Sequence, residues 1–159
     1  MRLRNATVAW ILLLVFSFIS IVGEESESRA RILKVLPHLL DAKGKHAISP
    51  SLLERDAYQA HLKNHPEEVS TLRFDVNWKL KEKFDDSLEL RVEVRFGSGN
   101  SIQTLKAKTP LRPKKLRKRG WTSVQLKEKD YDPESNLIAW RVTVWKGDQQ
   151  LASQKSFLW

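Results

Sequence analysis

The chain has 159 residues, a formal net charge of +9, a single methionine at its start and no cysteine. The missing thiols exclude disulfides, thiolate metal sites, cysteine nucleophiles and a lipid anchor on cysteine. Ten Lys/Arg against the single acid Glu128 fall in residues 102–129, a stretch that is +9 by itself, so the basicity is local.

Met1-Arg2-Leu3-Arg4-Asn5 opens the chain, an uncharged apolar run occupies residues 6–23, and Glu24-Glu25-Ser26-Glu27-Ser28 comes next. A basic head, an apolar middle and a polar exit are the order of an export signal. Arg2 and Arg4 hold the front on the cytoplasmic side while the acidic segment is free to cross. Cleavage is expected near Gly23/Glu24. If kept, the 18-residue run is at the short limit for a ~30 Å hydrocarbon core and would act as an inner-membrane anchor. Either way the rest of the chain is expected outside the cytoplasm: periplasmic, at the cell surface or secreted. Residues 1–23 are thus read as signal peptide or signal anchor, 24–68 as a lead-in segment, and 69–159 as one folded domain. A cysteine-free exported domain of this size suits a bacterial periplasm or surface, because its stability rests on apolar burial alone.

Residues 29–48 read as irregular, with the apolar stretch Ile32-Leu33-Lys34-Val35-Leu36 stopped by Pro37. A turn is predicted at residues 39–45, where Gly44 can take positive φ and Asp41 can bond the backbone ahead of it. The pattern then predicts one helix at about 52–64. Ser51-Leu52-Leu53-Glu54 fits a capping box, Leu52, Leu53, Ala57, Ala60 and His61 keep helical spacing, and Pro66 ends the run. The expected helix is amphipathic and packs on the edge or end of a sheet.

From Thr71 the period changes to two. Leu72, Phe74, Val76, Trp78 and Leu80 alternate with polar residues, and Leu88, Leu90, Val92, Val94 and Phe96 do the same after a turn at Asp85-Asp86-Ser87. Each run is a half-buried strand with a solvated face on which opposite charges can pair. Gly97-Ser98-Gly99-Asn100 is a turn. Weaker strands come next at 102–108 and 121–126. Ile138, Trp140, Val142 and Val144 share one apolar phase, Lys146-Gly147-Asp148-Gln149 makes a tight turn, and residues 151–159 return as the last strand.

Six strands at these spacings predict a mainly β chain: a single antiparallel β-sandwich, six- or seven-stranded, preceded by one short helix and the export segment. The pattern over 69–159, with a Trp-centred penultimate strand, a tight turn and a final strand, resembles an immunoglobulin-like or fibronectin type III-like sandwich, without a Cys pair or tyrosine corner. The signal, the Leu-Asp-Ala-Lys-Gly-Lys turn, the Ser-Leu-Leu-Glu-Arg-Asp-Ala-Tyr-Gln helix and the terminal Ser-Phe-Leu-Trp together resemble short exported bacterial proteins. That resemblance implies an address and no mechanism.

Arg112, Lys114, Lys115, Arg117, Lys118 and Arg119 put six cations into eight residues, between Pro110, Pro113 and Gly120. Such a loop attracts phosphates, sulfates or carboxylates in a salt-sensitive way. Its bland reading is a solvated loop that aids solubility. Export argues against nucleic acid and leaves an anionic glycan, a lipid head group or an acidic protein as partner. Trp78 and Trp140 share the apolar phase and belong in the core, whereas Trp121 and Trp145 are the stacking candidates of a carbohydrate-binding module. The third reading is a structural subunit that pairs through its C-terminal strand.

His61 and His65 have the spacing of a metal-binding pair but no accompanying glutamate or third ligand. Asp130-Tyr131-Asp132-Pro133-Glu134 lacks the glycine and distal glutamate of a calcium loop. No nucleophile elbow, phosphate loop or zinc-protease helix is present. The expectation is a non-catalytic interaction module without metal or cofactor.

Overall fold

The computed structural model describes residues 29–82, 87–98, 101–113, 118–127 and 135–159. The export segment, the Asp85-Asp86 turn, Gly99-Asn100, Lys114, Lys115, Arg117 and the 130–134 acidic stretch lie outside the described residues.

Among the described residues, seven strands and one α-helix are arranged in the order β1 (Ala30–Asp41), α1 (Leu52–Asn64), β2 (Val69–Leu80), β3 (Leu88–Ser98), β4 (Ser101–Leu111), β5 (Arg119–Lys127), β6 (Asn136–Lys146) and β7 (Gln149–Lys155). They form two antiparallel sheets, ordered β1-β2-β5 and β4-β3-β6-β7. The chain changes sheet between β2 and β3, between β4 and β5, and again between β5 and β6.

The period of two governs the packing. Leu72, Phe74, Val76, Trp78 and Leu80 of β2 and Leu88, Leu90, Val92, Val94 and Phe96 of β3 are all buried. With Val124 and Leu126 of β5 and Val142 and Val144 of β6 they make one cluster. Full burial of each such side chain contributes roughly 1.5–3 kcal/mol, so this shared face is the main stabilising element. Trp140 keeps the inward phase and packs edge-on against Phe74, with ring centroids 6.5 Å apart. In β6 the expected phase is interrupted at Ile138, and Ala139 and Thr143 on the outward phase are buried. A register shift between Arg95 and Phe96 leaves Ile138 as a bulge residue, and its side chain lies over Gly97. The β6–β7 hairpin has Gly147 at φ +54°, the positive value that a two-residue turn of this kind needs at its first central position.

The lead-in differs from expectation. Pro37 does not stop the apolar stretch of residues 32–36; β1 runs through it, paired with β2 from Ala30↔Leu80 to Asp41↔Val69. β1 is an edge strand, where the donor that proline lacks is not needed by a neighbour. The 24–68 segment therefore supplies one strand of the three-stranded sheet as well as the helix. At the other end, β7 stops at Lys155 rather than Trp159. Residues 156–159 turn back, with Trp159 N–H donating to Ser156 O at 3.3 Å, and the Trp159 ring lies under the Arg95 and Arg141 guanidinium carbons at 4.1 and 4.8 Å.

The helix starts as predicted: Ser51 Oγ accepts the Glu54 N–H. The reciprocal bond of a capping box is replaced by Ser51 N–H donating to Ser49 Oγ at 3.1 Å. Its inward face is not the predicted one. Leu52 and Leu53 are exposed, and the helix is held by the Arg55, Tyr58, Gln59, Leu62 stripe, of which only Leu62 is fully buried. Gln59 makes the key bonds. Leu39 N–H donates to Gln59 Oε1 at 2.8 Å, and Gln59 Nε2 donates to Leu39 O and His46 O, each at 2.9 Å. Beside it, Tyr58 OH donates to Asp41 Oδ2 at 2.8 Å, while Asp41 Oδ1 accepts the Lys43 and Lys45 N–H groups around Gly44. The Lys45 amide first, aided by the tyrosine hydroxyl, holds the Asp41 carboxyl below the usual carboxylate range.

Replacing Gln59 by Leu leaves a donor and an acceptor of Leu39 unmatched. Gln59→Leu is expected to lower stability by about 1–3 kcal/mol, and Leu53→Ala by less than about 0.5 kcal/mol. Urea unfolding monitored by tryptophan fluorescence checks this; equal losses from both would refute the anchoring role of Gln59.

Candidate functional site

Residues on the non-core phase of β1, β2 and β5 stand on the outer face of the three-stranded sheet. Register fixes who stands beside whom. Arg31 pairs with Lys79, and Lys79 pairs with Arg119, so one cross-strand row carries three cations. The next row is Lys34, Asn77 and Trp121. Neighbouring strands lie about 4.8 Å apart, which puts the three backbones of a row within about 10 Å. No described carboxylate pairs with Arg31, Lys34 or Lys79. Like charges directly opposite each other weaken a sheet.

Asn77 organises the junction between the rows. It is 3% exposed, and its Oδ1 accepts a bond from Arg119 Nε at 3.3 Å. That bond fixes one nitrogen of the guanidinium. Trp121, two residues on and on the same face, is 54% exposed, and no described ring or cation lies on it. Between them Gly120 sits on the inner face against Trp78, where a Cβ would come within 2.8 Å of the indole; Trp78 Nε1 donates to Thr122 Oγ1 at 2.9 Å. The buried indole and the glycine thus set the path of β5 at the point where Arg119 and Trp121 emerge.

Of the residues singled out from sequence, Lys118, Arg119 and Trp121 come together here. Lys118 is exposed and its Nζ donates to Lys81 O at 2.9 Å. Arg112 is exposed just past the end of β4, on the other side of the 114–117 stretch. Trp145 is elsewhere, on the outer face of the four-stranded sheet. Arg91 covers its ring at 4.4 Å and its Nε1 donates to Thr143 Oγ1 at 2.8 Å, so this indole is already engaged. Arg31, Lys34 and Lys79 are additions that the sequence reading missed. The alternation in β2 points Lys79 outward, but Arg31 and Lys34 join it only through β1.

The four-stranded sheet treats its outer charges differently. Glu93 accepts from Arg141 at 2.8 Å, and Glu89 pairs with Arg91 and with Lys108 at 3.3 Å. The Arg91 bond first, then Lys108, holds the Glu89 carboxyl below its ordinary value. Arg91 and Lys108 stand directly opposite each other, and Glu89 one row away serves both. The row of Arg31, Lys79 and Arg119 has no described acid in that position.

At the opposite end of β2 the outer face carries a balanced cluster. Asp75 is bonded by Arg73 at 3.0 Å and by Ser123 Oγ, and faces His38 Nε2 at 3.7 Å. His46 lies over His38 with ring centroids 4.8 Å apart. Burial pushes the His38 imidazole below its ordinary pKa; Asp75 opposes this, while His46, Arg73 and Arg55 add to it. The helix histidines stack, with His61 and His65 centroids 4.1 Å apart, and His61 Nε2 meets Glu68 at 3.1 Å. Among the described residues no group of three or more metal-ligating side chains is present. A cavity of about 280 Å³ opens where α1 meets both sheets, lined by Leu39, Leu62, Val69, Leu72, Phe96 and Leu137. No described helix is long and apolar enough to cross a membrane. No protein-family model matches the chain, and no curated protein matches it.

The lowered His38 pKa has a defined sign. Stability from the neutral imidazole is present above the unfolded value of about 6.5 and is lost as pH falls through the lower folded value. His38→Gln removes this titration. Between about pH 7 and pH 5 the urea midpoint of the parent chain is expected to fall further than that of His38→Gln; identical pH profiles would contradict a destabilising proton on His38.

Proposed function

We propose that this chain is a non-catalytic, exported interaction module that binds a polyanion through the outer face of its three-stranded sheet. The observation that carries the reading is the uncompensated row of Arg31, Lys79 and Arg119 beside Lys34 and Lys118. In water each close pair of like charges costs about 1 kcal/mol at 4 Å. On the other sheet the chain avoids that repulsion with Glu89 and Glu93. A row with no described acid gains stability when an external anion sits on it, and the basic 112–119 stretch ends in Arg119 of this row.

The strand order β1-β2-β5 over β4-β3-β6-β7, with three changes of sheet, supports the immunoglobulin-like or fibronectin type III-like reading, a scaffold that presents surfaces to partners. The basic head, apolar run and acidic exit at the N-terminus support export.

Binding to immobilised heparin is expected to fall steeply with salt. Arg31→Gln, Lys79→Gln and Arg119→Gln should each lower the slope of log K against log salt, by up to about one. Affinity unchanged in the triple variant, with its unfolding midpoint intact, would overturn the assignment to this face.

A further inference from the structure

Building on the polyanion reading, we infer that the bound anion is a glycan bearing carboxylate or sulfate groups, with Trp121 stacking on a sugar ring while Arg119 and Lys79 hold its charge. The group adjoining the cation row, rather than the row itself, carries this. A phosphate or sulfate ion needs only charge. Trp121 adds a broad flat ring on the same face, one row from the cations; it is 54% exposed, and no described ring or cation lies on it.

The contrast with the other surface tryptophans sharpens this. Trp145 is capped by Arg91, and Arg95 and Arg141 both lie against Trp159, so each has a cation of this chain against its ring. Trp121 has cations beside it in register and none described on it. Arg119 is tied by Nε to the buried Asn77, which leaves its two terminal nitrogens without a described partner. Two residues along a strand are about 7 Å apart, so ring and guanidinium stand side by side on one face. An apolar ring face for the indole and an oxyanion for the forked guanidinium are the two contacts that a uronic acid or sulfated sugar offers together.

The surroundings argue against two other anions. A membrane surface would be met by further apolar side chains that insert with the indole, yet the neighbours of Trp121 on β2 and β5 of this face are Arg119, Asn77, Lys79 and Ser123, and the apolar Leu33 and Leu36 are on β1, with Lys34 between them. Single-stranded nucleic acid is usually gripped by several aromatic platforms in succession; Trp121 is the one aromatic side chain among the described residues on the outward phase of β1, β2 and β5 other than the buried His38.

The test uses the full chain with four probes: polygalacturonate and heparin fragments, inorganic polyphosphate, an oligothymidylate, and vesicles of anionic phospholipid. Affinities are compared for the parent chain, Trp121→Ala, Trp121→Phe and Arg119→Gln, with far-ultraviolet dichroism and the unfolding midpoint recorded for each. Trp121→Ala is expected to weaken the glycan fragments about tenfold, Trp121→Phe to restore part of that loss, and Arg119→Gln to weaken glycans and polyphosphate alike. Polyphosphate binding should be unchanged by Trp121→Ala. If polyphosphate binds as tightly as the glycans and Trp121→Ala alters neither, the glycan inference fails and the polyanion reading survives. A Trp121-dependent preference for oligothymidylate or for vesicles overturns the glycan in favour of that class. Failure to bind any of the four at low salt overturns the polyanion reading itself.

Discussion

A residue in an extended strand has only two directions for its side chain, and in β2 and β3 every second residue is too apolar to face water. That constraint fixes both the core and the surface above it. Phe74, Val76 and Trp78 on one ribbon and Leu90, Val92 and Val94 on the other bury against a common core, so a slip of one residue in either strand would expose the whole set at once. With β2 fixed in this way, its outward residues are fixed too. Lys79 faces solvent because Trp78 and Leu80 cannot, and the register then places Arg31 on one side of it and Arg119 on the other.

The clear parts of the fold were those where one residue type could serve only one phase. The β2 and β3 alternation, the Ser51 cap, the Asp41–Gly44 turn and the Gly147 hairpin can all be read from local spacing. β1 could not be read in this way. Pro37 and His38 break its apolar pattern, and both are tolerated for reasons that depend on partners far away in sequence: Pro37 because the strand is at an edge, His38 because Asp75 and His46 close over it. The helix misled for the opposite reason. Leu52 and Leu53 look like an inner face, but the end of the sheet presents backbone groups and a carboxylate, so Gln59 and Tyr58 make better contacts than leucine would. The basic stretch was evident from composition, while its continuation from Arg119 in β5 into Lys79, Lys34 and Arg31 exists only in the paired sheet.

The two outer faces obey different electrostatic rules within one small chain. On the four-stranded sheet, Glu89 and Glu93 are threaded among arginines, and the aromatic rings of Trp145 and Trp159 rest against the same guanidinium groups. On that face each described carboxylate has a cation of this chain against it. Charge-assisted bonds and cation–π contacts there leave little for a ligand to gain. On the three-stranded sheet the same chemistry stops halfway: Arg73, Asp75 and Ser123 form a closed set near α1, and beyond Asn77 the paired rows hold no described acid, the next one being Glu82, which pairs with Arg29 past the strand ends.

The carboxamide of Gln59, bonded to both backbone groups of Leu39, also bears on how copies of the molecule behave toward one another. An open strand border invites a foreign strand to zip on and lengthen the ribbon, the first event in fibre growth. Along β1 the polypeptide has filled that berth with one of its own side chains, reinforced by Pro37 two residues earlier. At Leu39, a foreign strand is therefore met by a single amide group carried on a helix.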